Sequence, residues 1–501
     1  MGLIARLEAR PRRAAGADNF MAAEISRLTA GLANDTEYIN TTLRHQLRLL
    51  RARSRQAAKS NPFARRFINM VVNNVCGPRP FKLQSKVKFN TGRLDTNANK
   101  KIEDAWKDWS KRGQCEVTGR FSRNAYLRLI VRALATDGEV LLRKYVGPQY
   151  GEYGYQYQLI DIDRLDETKN ESFRDGGAIH MGVELDAMSR PVAYHVLKRK
   201  PSQWHLGGFT REYERIAARE IEHLFIPDYA EQVRGAPWMY AALINLVHLG
   251  AFEEAAVIAA RVGASQMGFI QTPEGGQDVP SDGKDEKGNP RIDAEPGTFP
   301  FLPEGYQIAG WNPKYPDAAV EPFIKACLRG IASGLDVAYH NLASDLEGVN
   351  YSSARIGELD ERDAWMSIQD FMIEHHCQPG FEEWLRMQML LGNVDLVPGR
   401  IERYQAVHWQ PRRWQWVDPM KEVGANIAAI NNKIKSRTRV VAEQGEDIED
   451  VFEELSQEAE LAKEKKIDLT PVPVAKPGGD KPAKPPANDD EDNDDAQSSD
   501  D

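Results

Sequence analysis

"PWMYAALINLVHLGAFEEAAVIAARVGAS", residues 237–265, is the stretch on which the architecture turns. It opens on Pro237, holds eight Ala and carries no formal charge from Met239 to Gly250. Apolar side chains fall on nearly every face of a helix drawn through it, so the pattern predicts one long helix over 237–265. Such a helix either sits at the centre of a large core or packs against copies of itself, and small side chains favour close approach of its neighbours. Further on, "PFIKACLRGIASGLDVA" starts a second helix at Pro322, with Lys325 and Arg329 four apart on one face.

Between the two helices, residues 271–313 are rich in Gly, Pro and Asp. No GxxxxGK[ST] phosphate cradle is present, and the segment reads as an exposed insertion with short strands such as "FPFLP" and "YQIAGW". After the second helix comes "SDLEGVNYSSAR", residues 344–355, with small polar residues, one Gly, one aromatic ring and no Pro. It reads as a loop suited to touching something. Trp365, Ile368, Met372 and His375 then keep helical spacing, and Pro379-Gly380 is expected to kink or split that helix. Two long helices, a tip, and a third helix describe a hairpin stalk.

Upstream, Asn61-Pro62 marks a helix start, and "KKIEDAWKDWSKRG" and "FSRNAYLRLIVRALATDG" read as further helices. "GEVLLRKYV" and "YGYQYQLIDIDRLD" alternate as strands do. "IHMGVELDAMSRPVAYHVLK" reads as a hairpin turning near Ser189-Arg190-Pro191, and "EIEHLFIP" supplies one more strand. The fold class is therefore α+β. Residues 1–66 hold thirteen Lys or Arg against five acids, either a contact for phosphate or acidic groups or a solvated helix face. From Leu469 onward the chain is Pro-rich and then acidic, and is expected to be disordered. Eight acids between Asp489 and Asp501 account for most of the net charge of −9, which leaves a nearly neutral body unlike a strongly basic DNA-binding domain.

Cys76, Cys115, Cys327 and Cys377 are scattered without a CxxC pair, as reduced thiols would be. Neither a signal peptide nor a run of bilayer length is expected, and the chain reads as made in the cytoplasm. One set of acids suits chemistry: Asp137 and Glu139 at one strand, Asp161 and Asp163 at another, could hold two Mg²⁺ ions for phosphodiester cleavage. The competing reading is ordinary turn and strand-end carboxylates. His375, His376 and Cys377 are adjacent on a helix, point to different faces and read as packing. No GxSxG elbow or visible Cys–His pairing supports a nucleophile.

The ordered blocks "SNPFARRFINMVVNNVCG", "WKDWSKRG", "ATDGEVLLR", "YQLIDIDRLD", "EHLFIPDYAEQVRGAPWMYAALINL", "IASGLDVAYHNLASDLEGVNYSSAR" and "WVDPMKEVGANIAAINNKIKSRTRVVAEQGEDIEDVFEELSQE" resemble the portal proteins of tailed bacteriophages, in their lambda-like branch. The resemblance implies a non-enzymatic ring, usually of twelve subunits, at one capsid vertex of the virion. It passes double-stranded DNA without sequence specificity, needs no cofactor or metal, meets no membrane, and leaves ATP hydrolysis to a terminase. Implied partners are that terminase, the major capsid or scaffold protein, and tail or head-completion proteins. The implied map runs from an Arg-rich arm (1–66) through an α+β wing (67–236), a first stem helix (237–268), a clip-like insertion (269–316) and a second stem helix (317–340). A tunnel loop (341–353), a long wing helix with its return (354–417), crown helices (418–468) and the acidic tail (469–501) follow. On this resemblance Asn341, Ser344, Asn350, Tyr351, Ser352 and Ser353 offer weak hydrogen bonds to sliding DNA, while Asp345 and Glu347 repel it. Lys325 and Arg329 either face the lumen or pair with acids of the next subunit.

Overall fold

The computed structural model describes residues 38–78, 81–199, 211–265, 269–271, 283–284, 290–291, 307–309, 319–347, 351–414, 419–444 and 448–465. The expected acidic tail, the first part of the Arg-rich segment, "FPFLP" and most of 271–313 lie outside them. The chain divides into two units, Met1–Pro419 and Met420–Asp501.

In the first unit, α1 (Ile39–Ser60) and α2 (Pro62–Val75) are separated by Asn61, whose side chain accepts from the N–H groups of Phe63 and Ala64 at 3.0 Å. Pro62 at the first helical position has no N–H to leave unpaired, so Asn-Pro starts a helix as the sequence predicts. Strand β1 (Lys82–Ser85) follows, then α3 (Thr96–Trp109), α4 (Arg123–Asp137), β2 (Glu139–Val146) and β3 (Tyr155–Ile160). Five short strands form an antiparallel sheet in sequence order: β4 (Glu171–Ser172), β5 (Ala178–His180), β6 (Val183–Leu185), β7 (Pro191–Leu197) and β8 (Tyr213–Ala217). The expected turn near 189–191 joins β6 to β7, with Ser189 at φ 61°. β9 (Ile221–Phe225) completes a second sheet of order β3-β2-β9, with β2 in the middle. The mixed helix and sheet content agrees with the α+β expectation.

Next comes α5 (Leu243–Ser265), and then β10 (Phe269–Gln271), β11 (Gly283–Lys284), β12 (Pro290–Arg291) and β13 (Gln307–Ala309). β10 pairs with β13, which is the strand expected in "YQIAGW", and β11 pairs with β12. The chain returns through α6 (Val320–Gly334), α7 (Tyr339–Ala343), α8 (Tyr351–Met372), α9 (Gln378–Leu391) and α10 (Ile401–Tyr404) to β14 (Val407–Gln410). β14 pairs antiparallel with β1, so residues more than 300 apart close one edge of the core. At its centre Trp106, Trp109, Phe381, Trp384 and Trp409 stack edge to face or tilted, and the Arg123 guanidinium lies 4.8 Å from the Trp106 ring centre. The second unit contains α11 (Pro419–Asn431), α12 (Arg437–Glu443) and α13 (Ile448–Lys465). Its Met420, Ile427, Ile434, Phe452 and Leu455 are exposed.

Three expectations need correction. The long apolar helix begins at Leu243 rather than Pro237, because residues 238–242 form turns that bury Met239 and Ala242 against the core. The break in the third helix is a π-helical turn at Ile373–Cys377, ahead of Pro379; Gly380 serves a separate need, since a Cβ there would lie 2.0 Å from the Tyr157 hydroxyl. Lastly, a run of bilayer length does exist by composition: Leu243–Arg261 spans 19 residues at mean hydropathy 1.5, with Glu253 and Glu254 in its middle and only 17% of its window buried.

The corner between α4 and β2 decides where the long helix starts. Gly138 caps α4 at φ 83°, and a Cβ there would meet the Ala236 carbonyl at 2.0 Å. Gly235 is as tight, its added Cβ falling 2.2 Å from the Gly138 carbonyl oxygen. Gly138→Ala should therefore destabilise the first unit by more than the ~1 kcal/mol that a positive φ alone costs. Chemical unfolding beside Gly119→Ala, where φ is 68° and space is open, reads the difference. Equal losses in the two variants would mean that the close approach contributes nothing.

Candidate functional site: the loop after α7 and the acidic cluster

The loop is built from α6, α7 and the start of α8. α7 ends at Ser344 in the left-handed region, φ 55°, and the Asp345 N–H donates back to the His340 carbonyl at 3.2 Å. Gly348, Val349 and Asn350 lie outside the described residues. Two corrections follow. The segment is not a loop from 341 to 353: Asn341 belongs to α7, and Tyr351, Ser352 and Ser353 form the first turn of α8. The Asn341 side-chain amide is already engaged, because its Nδ2 donates to Glu361 at 2.6 Å, and the residue's backbone carbonyl accepts from Arg66 at 3.2 Å. Glu361, buried on α8, further accepts from the Ala338 N–H at 3.3 Å and the Trp365 indole at 3.1 Å. This carboxylate holds the short α7 in place. Sequence reasoning missed it, because a Glu inside a charged helical run carries no local mark.

The described part of the loop is tied down by charge. Lys325 on α6 contacts Glu321 at 2.7 Å, one turn away, and Glu347 at 2.8 Å across the loop, with Asp345 3.8 Å off. Hydrogen bonds to Glu321 and Glu347 raise the Lys325 pKa. The Tyr339 hydroxyl donates to Asp345 at 2.7 Å, and that bond, then the Glu347 N–H, hold the Asp345 carboxyl below its ordinary value. Arg329 lies 5.4 Å from the Tyr339 ring centre. Ser344 and Leu346 are exposed, Leu346 at 73%. The two acids are thus partly neutralised within their own chain, and an exposed apolar tip sits between them.

The second candidate, the four acids, does come together, but around arginines. Arg55 donates to Asp137 at 2.6 and 3.0 Å and to Asp163 at 2.6 Å, with Asp161 at 3.5 Å. Glu139 is fully enclosed. It accepts three bonds from the Arg234 guanidinium at 2.7–3.0 Å, one from Arg51 at 3.2 Å and one from the Gly235 N–H at 3.0 Å, while His223 Nε2 stands 2.9 Å away. Arg51 also reaches Glu167 at 3.3 Å, and Arg234 donates to the Leu165 and Met181 carbonyls. Burial pulls the Glu139 pKa up, but Arg234 and His223 pull it further down, so the net shift is well below a free glutamate. Carboxylates filled by guanidinium forks do not present free oxygens to a pair of Mg²⁺ ions, and among the described residues no group of three metal-ligating side chains forms. Arg51, Arg55 and Arg234 were not singled out from the sequence. Two of them lie in the Arg-rich segment, so its reading as a contact for acidic groups applies to them.

His375, His376 and Cys377 fall in the π-turn, where His376 Nδ1 is 2.7 Å from Glu222 and Cys377 is buried beside Arg123. Burial pushes the Cys377 thiol up to about 11 and the Cys76 thiol to about 12, so both stay protonated and all four cysteines are free.

The geometry so far is that of an α+β chain with a tethered loop and a long, largely unburied helix. A family model described as phage portal protein, lambda family, matches residues 26–369. The chain is 34% identical over 412 residues to the "Probable portal protein" of Halomonas phage phiHAP-1, covering 82% of this chain and 79% of that one. It is 20% identical over 442 residues to "Portal protein B" of Escherichia phage lambda, covering 80% and 81%. Among solved structures, the neck of an empty gene transfer agent particle, computed with C6 symmetry, matches at a TM-score of 0.45 and 15% identity, over 79% of this chain and 93% of that one. This chain belongs to the lambda family of phage portal proteins.

Two outcomes follow. Glu139→Gln leaves Arg51 and Arg234 buried with less than their counter-charge, and should lower the stability of the first unit by ~3–5 kcal/mol in denaturant unfolding. Because the folded pKa lies below the unfolded one, the wild-type stabilisation is complete above about pH 4.3 and is lost as pH falls through the folded value. The variant should lack that part of the acid dependence; an unchanged acid profile would remove Glu139 from its central place. Lys325→Gln should speed amide exchange at Asp345 and Glu347 without moving the melting temperature, as read by hydrogen–deuterium exchange. Unchanged protection there would mean that the loop is held by its backbone alone.

Proposed function

We propose that this chain is one subunit of a ring, of about twelve copies by the family resemblance, that stands at the capsid vertex of a virion and conducts double-stranded DNA. On this reading it has no catalytic role of its own. It docks a terminase while DNA enters and tail or head-completion proteins afterwards, meets the capsid or scaffold protein, and assembles in the host cytoplasm. The observation that carries the reading is α5. Among the described side chains of this helix only Leu243, Leu246 and Leu249 are buried, while Ile244, Val247, Val257 and Ile258 are 52–66% exposed. Phe252 reaches Phe323 of α6 at 5.0 Å between ring centres, so the two helices cover each other on one side only. Fully burying an aliphatic side chain is worth ~1.5–3 kcal/mol, and a face of four such residues left in water asks for a neighbour. Adjacent copies supply one.

In the same reading, residues 341–353 line the narrow part of the channel. Support comes from the exposed Ser344 and Leu346 at the tip and from Lys325 and Tyr339, which draw in Asp345 and Glu347, so that a passing phosphate meets little fixed charge of either sign. Mass measurement and negative-stain imaging of the purified protein test the assembly. The wild type should form a large closed ring with a central hole. Val247→Glu with Ile258→Glu, both on exposed positions that a folded single chain tolerates, should stay monomeric. A wild type that remains a single folded chain at every concentration, with capsid partners present, ends the proposal.

A further inference from the structure

We infer that an arginine-bearing face of α2 and α4 on one copy meets an acidic strip of α8 on the next, forming a charge seam that fixes the register between adjacent subunits. α2 has no acid, and the one acid of α4 is its last residue, Asp137, which Arg55 holds. The outer sides of these two helices are joined through amides and carbonyls. Arg132 donates to the Asn69 side chain at 2.7 Å, and Arg128 donates to the Asn73 side chain at 3.2 Å and to the Gly77 carbonyl. Arg412 donates to the Asn73 carbonyl at 2.7 Å and lies 5.3 Å from the Trp414 ring centre. Arg65 and Arg66 stand exposed one turn before Asn69, and Arg66 donates to the Asn341 carbonyl. Among the described residues none of these five guanidinium groups has a carboxylate within ion-pair distance. Burial and then the like charge of Arg362 lower the Arg412 pKa, as expected where cations gather without counter-charge. Arg128, Arg132 and Arg412 are already held in place, so little side-chain entropy is left to lose when an anion arrives.

The complement is on α8. Asp360, Asp363 and Asp370 are exposed and, at 100° per residue, fall within about 80° of one another, opposite the buried Glu361, Trp365 and Gln369. Glu374 follows them, exposed, in the π-turn. Among the described residues none of these four acids has a cation partner. The strip from 360 to 370 covers about 15 Å of helix axis, and the length of α2 from Arg65 to Asn73 covers about 12 Å. A surface built for solubility alone intersperses the two signs, whereas here they are segregated on different helices. The occupant is a second copy because the chain carries both halves: a head-to-tail contact sets the cation face of each subunit against the acid strip of its neighbour, and its repetition closes a ring. Charge across such a contact excludes wrong registers more than it adds affinity, which falls to the exposed apolar side chains of α5. The inference rests on the ring reading proposed above.

The experiment is a charge reversal with rescue on the full-length protein, with the mass of the assembly followed against concentration at about 100 mM salt, where the screening length is about 10 Å. R65E/R132E and D363R/D370R, all at surface positions, should each raise the concentration at which half the chains are in rings at least tenfold. K107E/R174E, which reverses two exposed cations elsewhere in the same unit, should assemble as the wild type does. The quadruple variant R65E/R132E/D363R/D370R should return to the wild-type concentration, and so should an equimolar mixture of the two reversed pairs, in which opposite charges again meet at every contact. A misfolded variant would not be rescued in this way. Rings that form unchanged in both reversed pairs, an equal loss in K107E/R174E, or no rescue in the quadruple variant and the mixture overturns the inference. A wild type that stays a single chain fails the ring reading and the inference together, whereas a wild-type ring indifferent to these reversals fails the inference alone.

Discussion

The rest of the first unit depends on one buried carboxylate. Glu139 opens the central strand β2, and its charge is met from three separate parts of the chain: Arg51 of α1, His223 of β9, and Arg234 with the Gly235 N–H just before the long helix. A charge taken out of water is tolerated only when paired and hydrogen-bonded, and is most costly when one partner is lost. The pairing therefore orients as much as it stabilises. It sets α1 against α4, and it brings residues 234–237 onto the Gly138 corner, where backbone approaches backbone too closely for any Cβ.

From that corner the molecule passes from a satisfied core to an unsatisfied helix. Around Trp106, Trp109 and Trp384 the packing is dense and aromatic, and the return strand β14 closes it. Beyond Leu249 no residue of α5 whose side chain is described is buried. A chain that encloses five tryptophans and Glu139 yet leaves Val247, Val257 and Ile258 in water is not short of folding capacity. Its apolar surface is placed where another chain can reach it. The loop after α7 shows the opposite treatment: its acids are drawn to Lys325 and Tyr339 of the same subunit, so what is exposed there carries little free charge.

Much of this was legible in the sequence. Asn61-Pro62 starts a helix for a reason confined to two residues, and the alternation in residues 139–146 and 155–160 predicts strands that the structure contains. The site was less legible. Asp137, Glu139, Asp161 and Asp163 were visible as a set, but their meaning hung on Arg51, Arg55 and Arg234, which lie 82 to 108 residues from these acids. Glu361 was invisible, because nothing near it in sequence announces that it will cap α7.

By itself the amino-acid sequence determined the mixed α+β class, the long apolar helix, the polar loop between helices and the family. The first three rest on composition and short-range periodicity, which act within a few residues; the family rests on the likeness and order of the quoted sequence blocks. Only the tertiary structure decided that the acids face guanidinium groups instead of solvent, that the helix begins at Leu243, that Asn341 is already bonded, and that the π-turn, not Pro379, breaks the third helix. Each of these depends on which distant group arrives within about 3 Å of another, and hydrogen bonds and ion pairs at that range leave no periodic trace in the chain.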